Sequence, residues 1–423
     1  MSTVDTSAPG SEFRRHWRAL SAATIGTATS IVVLPFYTNG LFIPELEAEF
    51  GWTRAELTSL PLIGSVILIL TAPLVGVVVD RFGARVPASL SLVALAASFL
   101  LLSLNGGSFL GYAAVFASMY LLASASTAVS FSRVINERFD RRRGIALGIT
   151  FAGGGVVAFL APRLLGTTIA ENWRAGYQIL GIVTLVGALL VLLLMPGRGD
   201  RAGGPASTGP GIPATVIRGS VWSVVRTSLF VRLSLVFLTL SLAVGGMTSH
   251  LVPLLRDSGV DAGSAAATAS LIGIAIIVGR LGVGLLVDRF FAPYVGIGVL
   301  VLASLGYLVL LVGGPGFAAA AAVGIGLALG AEVDLLGYIT ARYYGITHYS
   351  RIFGMLYAAF TLGIGAGPLL LAELRAATGG YGLPLIVSLG FLVFAAVLLA
   401  TLPRFPVAGT GASESPVPQP ATR

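Results

Sequence analysis

Apolar residues in this chain come in long runs, not in the alternating or 3.6-residue stripes of a water-soluble fold. The runs fall at 19–43, 57–79, 86–104, 109–135, 144–168, 176–195, 229–254, 264–287, 295–312, 317–341, 352–374 and 383–403. Each is long enough to cross about 30 Å of hydrocarbon as an α-helix. The pattern predicts an all-α integral membrane protein with twelve spans. Between the sixth and seventh runs, PGRGDRAGGPASTGPGIP is too rich in Gly and Pro to span or pack. The expected organisation is a tail at 1–18, a six-helix bundle at 19–195, a linker at 196–228, a second bundle at 229–403 and a tail at 404–423. Residues 1–12 and the stretch from Val407 are polar and Pro/Ser/Thr/Gly-rich, so both are expected to be disordered. The N-terminal stretch has no basic region before a short apolar core and does not read as a signal peptide.

The polar residues punctuate the runs. Tyr37-Thr38-Asn39-Gly40 sits near the end of the first span, followed by Pro44 and an acidic loop with Glu45, Glu47 and Glu49. Thr53 is placed to cap the second span, with Glu56 in its first turn. The halves repeat: Val79-Asp80-Arg81-Phe82 recurs as Val287-Asp288-Arg289-Phe290, and Pro44 recurs as Pro253. Parallel six-span repeats joined by a linker suit a carrier whose site lies at the repeat interface.

Composition agrees. Of 423 residues, 56% are hydrophobic and 10% charged, and mean hydropathy is +0.92, against about 25% charged in globular proteins. The net charge of +8 comes from arginine alone. Alternate connections hold Arg14, Arg15, Arg81, Arg85 and the Arg141 to Arg143 run, whereas the others hold only Arg54, Arg174, Arg256 and Arg375. That asymmetry predicts both termini in the cytoplasm; the expected setting is a bacterial inner membrane. It reads as a topology signal, so no nucleic-acid partner is expected. Cysteine is absent and the three histidines, His16, His250 and His348, have no ligand spacing. Neither a metal, a cofactor nor an enzyme's nucleophile–base pair is expected.

One charge lies deep. Arg280 is eight residues inside Asp288, about 12 Å into a half-thickness of about 15 Å. It cannot shed its proton and offers a planar fork of donors that fits a carboxylate. Two readings follow: a substrate-binding group, or a structural ion pair with Glu332 or Asp334 in the tenth span. Gly273, Gly279, Gly282 and Gly284 are expected to leave room around it. Glu332 and Asp334, about 200° apart on their helix, are candidate proton carriers, or fasteners of the inner gate to Arg342 or to the Asp288-Arg289 loop. Tyr37, Asn39, His250, Tyr357 and Thr361 are further candidate substrate contacts. Trp17 and Trp52 read as interface anchors.

Gly76-Val-Val-Val-Asp80-Arg81-Phe82-Gly83-Ala84-Arg85 resembles the loop motif of the major facilitator superfamily, with Ala84 where a basic residue is common. EFGWTRAEL, HLVPLLRDSG, GRLGVGLLVDRF and GAEVDLLGYITARYYG resemble, more narrowly, the branch of monocarboxylate transporters and oxalate/formate antiporters; the likeness runs over residues 15–405. It implies the two-bundle fold with a pseudo-two-fold repeat. It also implies a conformational latch at Gly76, Asp80, Arg81, Gly83, Arg85, Asp288 and Arg289, and substrate carboxylate binding at Arg280. The span-eleven lysine of the oxalate/formate antiporters has no counterpart in Met355–Leu371. The expectation is a monomeric secondary transporter of a small organic anion, a monocarboxylate, with the proton as coupling ion and the lipid bilayer as its setting. The rivals are an exporter of drugs or hydrophobic compounds and, from another class, a sensor or membrane enzyme. Span four lacks a mid-membrane arginine and span five lacks the G-P-x-x-G-G order of antiporter-type exporters; no large soluble domain supports the second rival.

Overall fold

The structure, a computed structural model, describes residues 10–197 and 222–405. Apart from one 3₁₀ turn, every regular element among them is an α-helix. In chain order they are α1 (Gly10–Ala28), α2 (Leu34–Phe50), α3 (Arg54–Phe82), α4 (Arg85–Ser103), α5 (Phe109–Leu122), α6 (Ala128–Arg138), α7 (Arg143–Glu171) and α8 (Trp173–Leu194). After the short α9 (Trp222–Val225) come α10 (Ser228–Asp257), α11 (Ala262–Val287), α12 (Ala292–Gly313), α13 (Ala318–Tyr344), α14 (Tyr349–Thr378) and α15 (Gly382–Ala400). Ten of these helices are long and apolar enough to cross a membrane unaided. The first and fourth runs are each built from two shorter helices, α1 with α2 and α5 with α6. The start of α1 and the end of α15 lie at one end of the bundle, the terminus end, where Glu12 meets the loop before α7 and Tyr343 and Arg232 bind the backbone at Pro403 and Thr401. The opposite end is the far end.

The breaks in the first and fourth spans have a local cause. Their residues, Thr29-Ser30 and Ser124-Ala125-Ser126-Thr127, are rich in hydroxyls that bond nearby carbonyls and compete with the helical ladder. Thr29 Oγ1 donates to Ile25 O, Ser126 Oγ to Ala123 O and Ser130 Oγ to Ala125 O. The two breaks meet: Ile31 N donates to Ser126 Oγ at 3.3 Å. Nothing in the hydrophobic pattern marks them, since Thr29, Ser30, Ser126 and Thr127 remain buried. Elsewhere local chemistry follows the pattern. Thr53 and Glu56 form a reciprocal capping box at the start of α3, and Pro44 and Pro253 lie inside α2 and α10.

Several expectations need adjusting. The N-terminal tail expected at 1–18, and its disorder through residue 12, end sooner, because α1 begins at Gly10. Within the expected linker, residues 222–225 form α9, while 198–221 lie outside the described residues, as do 1–9 and the tail from 406. Trp17 is exposed as an anchor should be. Trp52 is not: it is buried among Phe50, Phe109 and Tyr112.

The halves touch along two seams of small residues. In one, α3 meets α14: a Cβ on Gly76 would lie 2.3 Å from Ser350 O, and one on Gly354 would lie 2.4 Å from Ala72 O. In the other, α7 meets α11: a Cβ on Gly144 would lie 2.3 Å from Gly284 O, and one on Gly148 would lie 2.6 Å from Arg280 O. With no hydrophobic driving force in lipid, such backbone approach is what holds membrane helices together.

Candidate functional site

Arg280 is positioned by glycines on its neighbours. On one side Gly144-Ile-Ala-Leu-Gly148 of α7 packs against α11; on the other Gly326-Leu-Ala-Leu-Gly330 of α13 does the same. A Cβ on Gly330 would lie 2.5 Å from Ile276 O, and one on Gly326 would lie 2.4 Å from Ile272 O. Both are Gly-x-x-x-Gly faces, so α11 is gripped by one helix from each half at the level of Arg280. The glycines of α11 itself divide. An added Cβ on Gly273 or Gly282 would meet nothing within 4 Å, whereas Gly279 and Gly284, also expected to leave room, are taken up by backbone contacts with Leu327 and Gly144.

The guanidinium points among the halves. Arg280 Nη1 donates to Asp334 Oδ1 at 3.2 Å, and Phe151 of α7 lies 5.8 Å from the guanidinium carbon. Its Nε, Asp334 Oδ2 and Glu332 Oε2 are buried with no hydrogen-bond partner among the described residues. Glu332 and Asp334 are both 3% exposed. Only Asp334 bonds Arg280; Glu332 lies within electrostatic reach of Arg280 and of Tyr307 and Tyr357. Asp334 therefore holds a residue of its own half, in place of the gate contacts to Arg342 or the Asp288-Arg289 loop. Tyr37, in the first turns of α2, and Tyr357, on α14, are also within electrostatic reach of Arg280. The arrangement is an anion-seeking fork with two spare acceptors, bordered by tyrosines from both halves.

Other candidates fall elsewhere. Thr361 Oγ1 bonds Tyr357 O on its own helix. Asn39 is half-buried on α2. His250 Nε2 bonds Pro368 O at 3.0 Å, and its ring lies 5.9 Å from that of Tyr381, so it joins α10 to α14 near the far end. Among the described residues no His, Asp or Glu cluster could hold a metal ion.

At the terminus end two carboxylates cross between halves. Asp80, ending α3, accepts from Ser350 N at 3.2 Å and Arg351 N at 3.1 Å, the first turn of α14. Asp288, ending α11, accepts from Gly144 N at 2.7 Å and Ile145 N at 3.1 Å, the first turn of α7. Each half thus caps a helix of the other with a carboxylate, the favourable charge for a helix N-terminus. Burial pushes the Asp288 carboxyl up from its ordinary value, and the two N–H bonds pull it back. Gly76 allows the close approach beside Asp80, and Gly83 ends α3 at φ +80°. Arg85 Nε turns to Leu192 O, Arg81 lies over the Phe82 ring, and Arg289 is exposed.

A sequence profile of the Major Facilitator Superfamily matches residues 25–368. The chain belongs to the major facilitator superfamily. Among its relatives, monocarboxylate transporter 13 of Bos taurus is 26% identical, over 92% of this chain and 89% of the relative. Monocarboxylate transporter 11 of Homo sapiens is 28% identical, over 86% and 78%. Of solved structures, the E. coli fucose:proton symporter FucP is similar with a TM-score of 0.70 at 14% identity, covering 92% of this chain and 98% of that one. The human organic anion transporter MFSD10 gives 0.68 at 17%, covering 93% and 100%. At such identities these two show the fold: twelve spans in two six-helix bundles. Relatives and fold alike are those of carriers, not of enzymes.

For this superfamily member, the residues that sequence reasoning missed are those around the crossing carboxylates. Arg133 of α6 pairs with Asp80 and Glu137 and donates to Ser350 Oγ at 3.1 Å. Tyr349 OH bonds Ser132 and Asn136 of the other half. Arg133 was hidden by its run, 109–135, in which one charge barely lowers the average. The repeat held a signal: Asp140-Arg-Arg-Arg and His348-Tyr-Ser-Arg occupy equivalent places before the fifth and eleventh spans.

Proposed function

We propose that this carrier moves a small monocarboxylate in symport with a proton, and that Arg280 is the carboxylate clamp. The observation that carries the reading is the single Arg280–Asp334 bond, set between the halves with acceptors and donors left over. A substrate carboxylate offers the fork two parallel bonds, so it competes with Asp334 for the guanidinium. Asp334 is then without its cation, and an uncompensated buried charge is expensive. A proton on Asp334 removes that cost, which ties proton entry to substrate entry; Glu332 is the second candidate carrier. The monocarboxylate transporter names of the relatives support the substrate class.

The same reading puts the chain in a bacterial inner membrane as a monomer, with bundles at 19–195 and 229–403 and both termini in the cytoplasm. The seams at the terminus end would then close the cytoplasmic side. Because the chain has no cysteine, single cysteines report orientation cleanly: Phe290→Cys should label only from the cytoplasm and Ser258→Cys only from outside. The reverse pattern overturns the orientation.

The main test is thermal stabilisation of purified protein across a panel of carboxylates and cationic drugs. Monocarboxylates should stabilise the wild type and leave Arg280→Ala unmoved. Stabilisation by a hydrophobic cation alone supports the drug-exporter reading, which buried Glu332 with its spare oxygen also suits.

A further inference from the structure

The N-terminal turn of α1 is not a plain continuation of the first span. The helix bends at His16 (φ −116°, ψ 18°), and the piece before the bend folds onto the loop between α6 and α7. Glu12 caps that loop with both carboxylate oxygens: Oε1 accepts from Asp140 N at 2.7 Å and Oε2 from Arg142 N at 3.1 Å. Phe13 and His16 both lie against the Phe139 ring, at 5.4 and 5.7 Å between centroids. Two and three residues on, the backbone N–H groups of Gly144 and Ile145 are the ones that receive Asp288 from the other half. Glu12 therefore sets the posture of the segment on which one of the two crossing carboxylates closes.

We infer that Glu12 to His16 form a pH-sensitive clasp that holds the terminus end of the carrier shut. The charged groups facing the clasp are known from every side. Arg15 is on the same segment, Arg138 comes from the end of α6, Asp140 and Arg142 from the loop, and Asp288 from α11. Burial first, then Arg138 and Arg15, hold His16 below its ordinary value, and Glu12 opposes them only in part. The sign follows. The clasped state disfavours charged His16, so clasping is fully stable above the free value of about 6.5 and weakens as pH falls through it. Acid on that side would charge an imidazole already facing two guanidinium groups, and the clasp would let go of the loop. Opening on acidification exposes that side when protons are abundant there, and the device does not depend on the substrate.

The test is a distance measurement between spin labels at Arg141→Cys and Phe290→Cys, exposed positions on either side of the α7–α11 seam, in full-length protein. At about pH 7.5, Glu12→Gln should raise the open-to-closed ratio several-fold. Moving the parent to about pH 5.5 should raise it likewise. His16→Phe keeps the ring against Phe139 and should match the parent at the higher pH while losing the acid response. An unchanged ratio in Glu12→Gln overturns the clasp. An acid response that survives His16→Phe overturns the histidine's part and assigns the titration to Asp80 or Asp288.

Discussion

The two halves share a plan but divide the work. Among the described residues, the charges near mid-membrane all belong to the C-terminal half: buried Glu332 and Asp334 and part-buried Arg280. Its counterparts of the broken helices, α10 and α13, run unbroken. Among the described residues the N-terminal half has no ion pair at that depth; its Asp80–Arg133 pair lies at the terminus end. It contributes broken spans, a glycine face on α7 and the aromatic ring of Phe151. A charged site needs a stiff frame that fixes its fork, whereas a rocking partner needs backbone close enough to seal and loose enough to part. The crossing carboxylates differ in the same sense. Asp80 has two arginines beside it, Arg133 and Arg351, whereas Asp288 rests on backbone N–H groups.

The largest effects should come from the charged half. Arg280→Ala should abolish transport while the protein still inserts. Arg280→Lys keeps the charge but loses the fork, and should weaken carboxylate affinity by roughly 10- to 150-fold, the equivalent of about 1.5–3 kcal/mol. Isothermal titration on both variants checks this. If Arg280 were only structural, Arg280→Ala would melt early and Asp334→Asn added to it would restore both stability and binding.

Proton coupling is the next discriminator. Asp334→Asn should lose proton-driven accumulation yet keep substrate exchange, measured in liposomes with and without a pH gradient. Full accumulation in Asp334→Asn moves the role to Glu332.

From the quieter half, Gly148→Val should stop turnover without unfolding either bundle. The added branch cannot fit 2.6 Å from Arg280 O, so α7 and α11 are held apart. Labels across the seam should read a permanently wider distance. Normal transport in this variant would show that the seam need not close.

Asp80→Asn should cost more than Asp288→Asn. The first takes from Arg133, whose side chain is 11% exposed, one of its two counter-charges and leaves only Glu137, on the order of 1.5–3 kcal/mol. The second keeps an acceptor for backbone N–H, about 0.5–1.5 kcal/mol. Melting temperatures of the two variants give the order. Equal losses would mean the arginines beside Asp80 add nothing.

The smallest effect is expected at the far end. Glu49 is held below its ordinary value first by Trp173 and then by Arg174, each donating to its carboxylate. Its contribution is therefore present above the ordinary carboxylate range and lost as pH falls through the depressed value. Glu49→Gln should flatten that acid limb in a melting-temperature series and change little at neutral pH, because the pair is exposed and screened.

Much of this was legible from the residues alone. Twelve runs, a six-and-six division, the repeat of Val-Asp-Arg-Phe and the depth of Arg280 all follow from hydrocarbon thickness and the cost of a buried charge. Those are properties of single elements, and a sequence reports them directly. Tertiary structure alone decided which partner each charge takes. Asp334 and Glu332 are two residues apart and chemically near-equivalent, yet only one faces Arg280, 54 positions away. Arg133 meets Asp80 across 53 positions and Ser350 across 217, and the glycines of α7 and α13 grip a helix that neither adjoins in sequence. The broken first and fourth spans were hidden for another reason. Hydropathy measures whether a residue is buried, and a short break stays buried when another break packs against it.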